Sequence, residues 1–132
     1  MKMIADTNVL VRAVLNDDAV QSRASRLALS SAEQIVISRL AFCEMIWILR
    51  QRYKMPRVEI MRSVRGFLDA NNVVTDTAAV EAGLEAMEAG EDFADGVIDF
   101  EGRWLGGDTF VSFDKKAVAA IAKQGKQTEL LA

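Results

Sequence analysis

A three-layer α/β domain around one central, mostly parallel sheet of four to five short strands is the fold this 132-residue sequence predicts. Three observations carry the prediction. Short apolar segments alternate with longer stretches of helical periodicity from one end of the chain to the other. Hydrophobic residues make up 51% of the chain and charged residues 27%, enough apolar surface to enclose a core at this length. No internal repeat, low-complexity tract or linker interrupts the pattern, so residues 1–132 read as one domain.

The elements follow in order. Residues 2–5 form a short strand and Val9 to Leu15 the helix after it. Gln21 to Ser30 carries Ala24, Leu27 and Ala28 at helical spacing, and Gln34 to Ile37 is a second strand. Leu40 to Tyr53 is a strong helix rich in large apolar residues. Pro56, the only proline, suits the first turn of the next helix, where a missing N–H costs nothing. That helix places Val58, Met61, Val64, Arg65 and Leu68 in a 3-4-3 pattern, and Val73-Val74 is a third strand. Thr77 caps a helix with Val80, Leu84 and Met87 on one side and a solvated stripe of Glu81, Glu85 and Glu88 on the other. Gly90 stops it, and Asp92 caps a helix from Phe93 towards Leu105 that ends at Gly106-Gly107. Phe110 to Phe113, a helix from Lys116 to Ala122, and Thr128 to Leu131 complete the alternation.

Composition removes several chemistries. The chain has no histidine, which excludes Ser-His and Cys-His nucleophiles, a histidine base, and zinc sites of the usual His/Cys type. The single cysteine, Cys43, lies among apolar neighbours and reads as a small buried hydrophobe. No apolar run approaches the roughly 18 residues of a membrane span, and no signal-peptide pattern is present, so a cytoplasmic protein is expected. The net charge of −3 is unevenly spread. Arg39, Arg50, Arg52, Lys54, Arg57, Arg62 and Arg65 crowd one segment, a pattern that suits a polyanionic partner.

Four carboxylates interrupt or end hydrophobic segments. Asp6 closes the first strand, where open α/β sheets collect ligands, although an aspartate there also serves as a helix cap. Glu44 shares a helix face with Leu40, Ala41, Trp47 and Ile48 and has no basic residue three or four positions away. Burying it ionised without a partner costs several kcal/mol. Asp95 and Asp99 are four apart on one face. Asp99 can pair with Arg103, and Asp95 has no such neighbour. Asp114 ends the strand before the last helix and is either an N-cap or part of the cluster. One buried acidic cluster of these four accounts for them together, and oxygen-only ligands select Mg²⁺ or Mn²⁺. Such an ion can activate a water against a phosphodiester.

Four stretches, IADTNVLVR at residues 4–12, LAFCEMIWILRQRY at 40–53, DFADGVI at 92–98 and VSFDKKA at 111–117, resemble the motifs of PIN-domain ribonucleases of the VapC toxin family in order and spacing. The resemblance implies a PIN fold, Mg²⁺-dependent endonucleolytic cleavage of RNA with Mn²⁺ able to substitute, a homodimer, and a cognate VapB-like antitoxin. Carried over by position, Asp6, Glu44, Asp95 and Asp114 match the family's acidic quartet, with Asp6, Asp95 and Asp114 as metal ligands. Asn8, Asp99 and Ser112 are supporting residues around them, Ser112 standing where the family usually has threonine. Gly96 and Asp99 replace alanines common in the family, which leaves open whether Asp99 reaches the metal or pairs with Arg103. A non-catalytic PIN-like adaptor is the alternative. An aspartyl phosphatase fits less well, because its second carboxylate falls at Asn8.

Overall fold

The computed structural model describes residues 1–132 as seven helices and five strands, every strand pairing parallel. The chain divides into two compact units, Met1–Asp76 and Thr77–Ala132. The expected α/β alternation holds in both. The strands form ladders of three and two, where the sequence suggested a single sheet.

The first unit contains β1 (Lys2–Ile4), α1 (Thr7–Val14), α2 (Ala19–Ser31), β2 (Gln34–Val36), α3 (Arg39–Gln51), α4 (Arg57–Asp69) and β3 (Val73–Val74). Parallel pairing requires a crossover between neighbouring strands. The pair α1–α2 supplies it between β1 and β2, and α3–α4 supplies it between β2 and β3. Met3 stands opposite Ile35, and Ile35 opposite Val73. Leu10, Phe42, Met45, Leu49, Ile60 and Val64 are fully buried, and Phe42 meets Phe67 edge to face at 6.1 Å. Each such side chain contributes about 1.5–3 kcal/mol of burial. The C-terminal carbonyls of α1 are satisfied from α2. Ser22 Oγ donates to Leu15 O at 2.7 Å, and Arg26 Nε donates to Ala13 O at 3.0 Å.

The second unit contains α5 (Thr77–Glu88), α6 (Phe93–Trp104), β4 (Phe110–Ser112), α7 (Lys115–Lys123) and β5 (Thr128–Leu130). Helix α7 is the crossover between β4 and β5, with Phe110 opposite Thr128. Helices α5 and α6 pack closely because Gly96 has no side chain. A Cβ there would lie 2.3 Å from the carbonyl oxygen of Ala82. The alanine expected from the family pattern would therefore push α6 off α5, which accounts for glycine in this chain.

Boundaries differ from the sequence reading at the caps. Helix α1 begins two residues early, at Thr7. Pro56 occupies the N-cap of α4, one position before the first turn, and Thr77 is the first helical residue of α5. Asp92 is at the N-cap of α6, but its side chain bonds no N–H. No helix is long and apolar enough to cross a membrane.

Two sequence expectations on α3 are corrected. Its buried residues are Ala41, Phe42, Met45, Ile46 and Leu49, leaving Cys43 partly exposed and Glu44 exposed. Leu40 and Trp47 are 68% and 60% exposed. The helix carries two apolar stripes. The one bearing Phe42, Met45 and Leu49 takes the core, and Glu44 lies with the other.

Candidate metal centre

In the second unit, three features bring carboxylates together. Helix α6 starts at Phe93 and sets Asp95 in its first turn. Asp114 caps α7, its Oδ1 accepting from the backbone N–H groups of Lys116 at 3.0 Å and Ala117 at 3.2 Å. Ser112 Oγ accepts from the N–H of Asp114 at 3.0 Å, so the hydroxyl at this position fixes the turn that presents the aspartate. Glu91 lies in the link between α5 and α6. Carboxylate oxygens of Glu91, Asp95 and Asp114 all fall within 4.8 Å of one another.

The electrostatics follow from that proximity. Burial, then the nearby charges of Asp92, Asp114 and Glu91, pushes the Asp95 carboxyl up to about 6 from an ordinary 3.8. Glu91 is also raised, by burial and then by Asp114 and Asp92, with Lys116 opposing. Repulsion among three carboxylates this close is relieved by protonation or by a bound cation. Oxygens across an octahedral Mg²⁺ are about 4 Å apart at bond lengths of about 2.0–2.1 Å. Small side-chain rotations would bring this oxygen-only set into range, so the residues fit a hard divalent ion.

Asp114 has two roles that substitution can separate. Asp114→Ala is expected to remove the α7 cap and cost about 1 kcal/mol, whereas Asp114→Asn keeps an oxygen for the cap and costs a few tenths at most. Both should weaken Mn²⁺ binding. Urea denaturation in EDTA checks the first statement and calorimetric titration the second.

Asp99 is engaged elsewhere. It is 4% exposed. Arg103 Nε donates to its Oδ1 and Oδ2 at 3.0 and 3.1 Å, and Lys126 Nζ donates to Oδ2 at 3.1 Å. Arg103 also donates to Asp108 O at 2.8 Å and Gln127 O at 3.0 Å, tying the end of α6 to the segments flanking β4 and β5. The pairing with Arg103 that the sequence offered is made.

In the first unit, Asp6 is exposed at the N-cap of α1 and its side chain caps no N–H. The cap explanation for Asp6 therefore has no side-chain bond behind it. Thr7 Oγ1, the next residue, donates to Glu44 Oε1 at 3.4 Å, which brings Glu44 to the first turn of α1. Asn8 lines a cavity of about 380 Å³ with Val9, Arg12, Gln21, Ala24 and Ser25. The cluster was expected to be buried, yet Asp6, Glu44 and Asp114 are exposed and Asp95 is half-buried. Among the basic residues, Arg52, Lys54, Arg57 and Arg62 are exposed, while Arg39 pairs with Asp76 at 3.5 Å. Glu91 is the member that sequence reading missed. Its signal was its place directly after the helix-stopping Gly90 and four residues before Asp95.

Parallel strands joined by helices, with convergent carboxylates at two helix starts, define an α/β protein equipped for a hard divalent cation. The chain belongs to the PIN domain family, whose profile matches residues 3–100. PIN domains are generally metal-dependent nucleases, and the Glu91, Asp95 and Asp114 group is compatible with that chemistry. The match ends before Asp114, whose assignment here rests on geometry. The comparison with curated proteins returns no match.

Proposed function

We propose that this chain is a Mg²⁺-dependent endoribonuclease, Mn²⁺ being able to substitute, and that it acts as the homodimeric toxin of a VapBC-type toxin–antitoxin pair. The observation that carries the reading is the convergence of the Asp95 and Asp114 carboxylates within 4.8 Å in a PIN-family chain. Asp95 and Asp114 hold the cation, with Asp6 assigned by resemblance as a further ligand. When bound, the ion supplies a Lewis acid for the scissile phosphate and lowers the pKa of water. Glu44 orients and deprotonates the attacking water, the role left to a carboxylate in a chain without histidine. The exposed Arg52, Lys54, Arg57 and Arg62 attract the RNA backbone, giving salt-dependent affinity with little sequence choice.

Control by a small antitoxin suits the same features. Its inserted arginine would match the carboxylates bidentately. Its apolar residues would cover Leu40 and Trp47, which flank Glu44 on α3.

Incubating the purified chain with end-labelled RNA and Mn²⁺ tests the proposal. Internal cleavage that stops in EDTA and in Asp95→Ala is the expected result. RNA binding without cleavage would favour the adaptor reading. Induction should arrest growth, and co-expression of a small antitoxin encoded beside this chain should restore it.

A further inference from the structure

The link between α5 and α6 fixes the backbone from which the Glu91 side chain projects. Gly90 takes φ +91°, a left-handed conformation that suits glycine, and its N–H donates to Met87 O at 2.9 Å. The N–H of Glu91 then reaches back to Ala86 O at 2.9 Å, completing a closed C-terminal turn on α5. One residue later Asp92 is the N-cap of α6, its carbonyl accepting from Asp95 N–H at 3.1 Å. The backbone of Glu91 is thus fixed from both sides by helices that the Gly96 contact locks together. That support holds the Cα of Glu91 in place. A carboxylate free to turn to water normally does so away from like charges, yet half-buried Glu91 lies within 4.8 Å of Asp95 and Asp114.

We propose that Glu91 is a further carboxylate ligand of the divalent cation in this unit, beside Asp95 and Asp114. The inference rests on the nuclease reading above. It gives the second unit three anionic donors, supplied by the α5–α6 link, the first turn of α6 and the cap of α7. Asp92 is the internal comparison. It is equally acidic and adjacent in the chain, but it lies outside the group that converges.

Mn²⁺ binding to the full chain, without RNA, tests the assignment by calorimetry and by the electron paramagnetic resonance of free Mn²⁺. Glu91→Gln is expected to weaken binding by about 10-fold or more, the range seen when groups that support a metal are removed. Asp92→Asn should weaken it clearly less than Glu91→Gln does, since it removes a nearby charge but no ligand. Thermal unfolding in EDTA shows that both variants fold, and Mn²⁺ should raise the midpoint of Glu91→Gln less than that of the parent chain. Unchanged affinity in Glu91→Gln would overturn the ligand assignment and leave the nuclease reading standing. Equal weakening in both variants would also overturn it, since diffuse charge would then be the cause. A parent chain that binds no Mn²⁺ would instead remove the metal reading on which the inference depends.

Discussion

Asp95→Asn is expected to raise the thermal midpoint of the metal-free protein at about pH 7.5 while lowering RNA cleavage at least about 100-fold, the scale of losing a charge-stabilising group. The stability half follows from linkage. The folded carboxyl sits at about 6, above its ordinary 3.8, because burial and the charges of Asp92, Asp114 and Glu91 disfavour the ionised form. A group raised in the folded state contributes stability that is fully present below about pH 3.8 and lost as pH rises through about 6. At neutral pH the ionised Asp95 is therefore a net cost, and asparagine removes it. Solvent screens a half-exposed group, so only about 1 kcal/mol is expected to appear, or roughly 3–5 °C at this chain length. The gain should vanish near pH 4, where Asp95 is already protonated in the fold. Saturating Mn²⁺ should reverse the order of the two proteins, since the parent chain then gains a ligand that binds only its folded state. A lower midpoint for Asp95→Asn in EDTA at neutral pH would show that the carboxylate supports the fold.

The alternation of strands and helices was legible because periodicity is a local property. Each of the five strands and seven helices lies where the apolar spacing put it, within a few residues. Helix starts were less legible. A cap depends on which side-chain oxygen reaches an N–H, and sequence alone did not separate Asp114, which makes that bond, from Asp92, which does not. The face of α3 was misread for a related reason. Leu40 and Trp47 are as hydrophobic as Phe42 and Leu49, and only the packing of α1 and α4 against the helix decides which stripe is covered. Exposed Glu44 followed the stripe that was left out. Asp95 and Asp114 stood out because each ends or interrupts an apolar run. Glu91 did not, since it sits in a polar turn, and its convergence on them depends on the left-handed Gly90 and the closeness of α5 to α6.

Removing Arg103 should destabilise the protein more than removing Asp99, although the two are partners. The Asp99 side chain is 3% exposed, whereas Arg103 and Lys126 are 25% and 32% exposed. Asp99→Asn leaves two cations that can turn to water, so its cost is modest. Arg103→Ala leaves a buried carboxylate with Lys126 alone and also strips the donors from Asp108 O and Gln127 O. Breaking a buried pair from that side costs about 3 kcal/mol or more, which at this size lowers the midpoint by about 10 °C. Arg103→Lys keeps the charge but loses the fork that serves one carboxylate and two carbonyls together, and it should fall between. Replacing the network whole, by Asp99→Leu with Arg103→Met and Lys126→Met, removes the buried charge altogether. That triple variant should recover most of the loss and remain about 1–2 kcal/mol below the parent chain, the expected cost of two backbone carbonyls left without donors. Urea denaturation of the four variants orders them. If Asp99→Asn proved the most damaging, the network would be stabilised chiefly through its cations, and the buried carboxylate would not be the group whose desolvation Arg103 offsets.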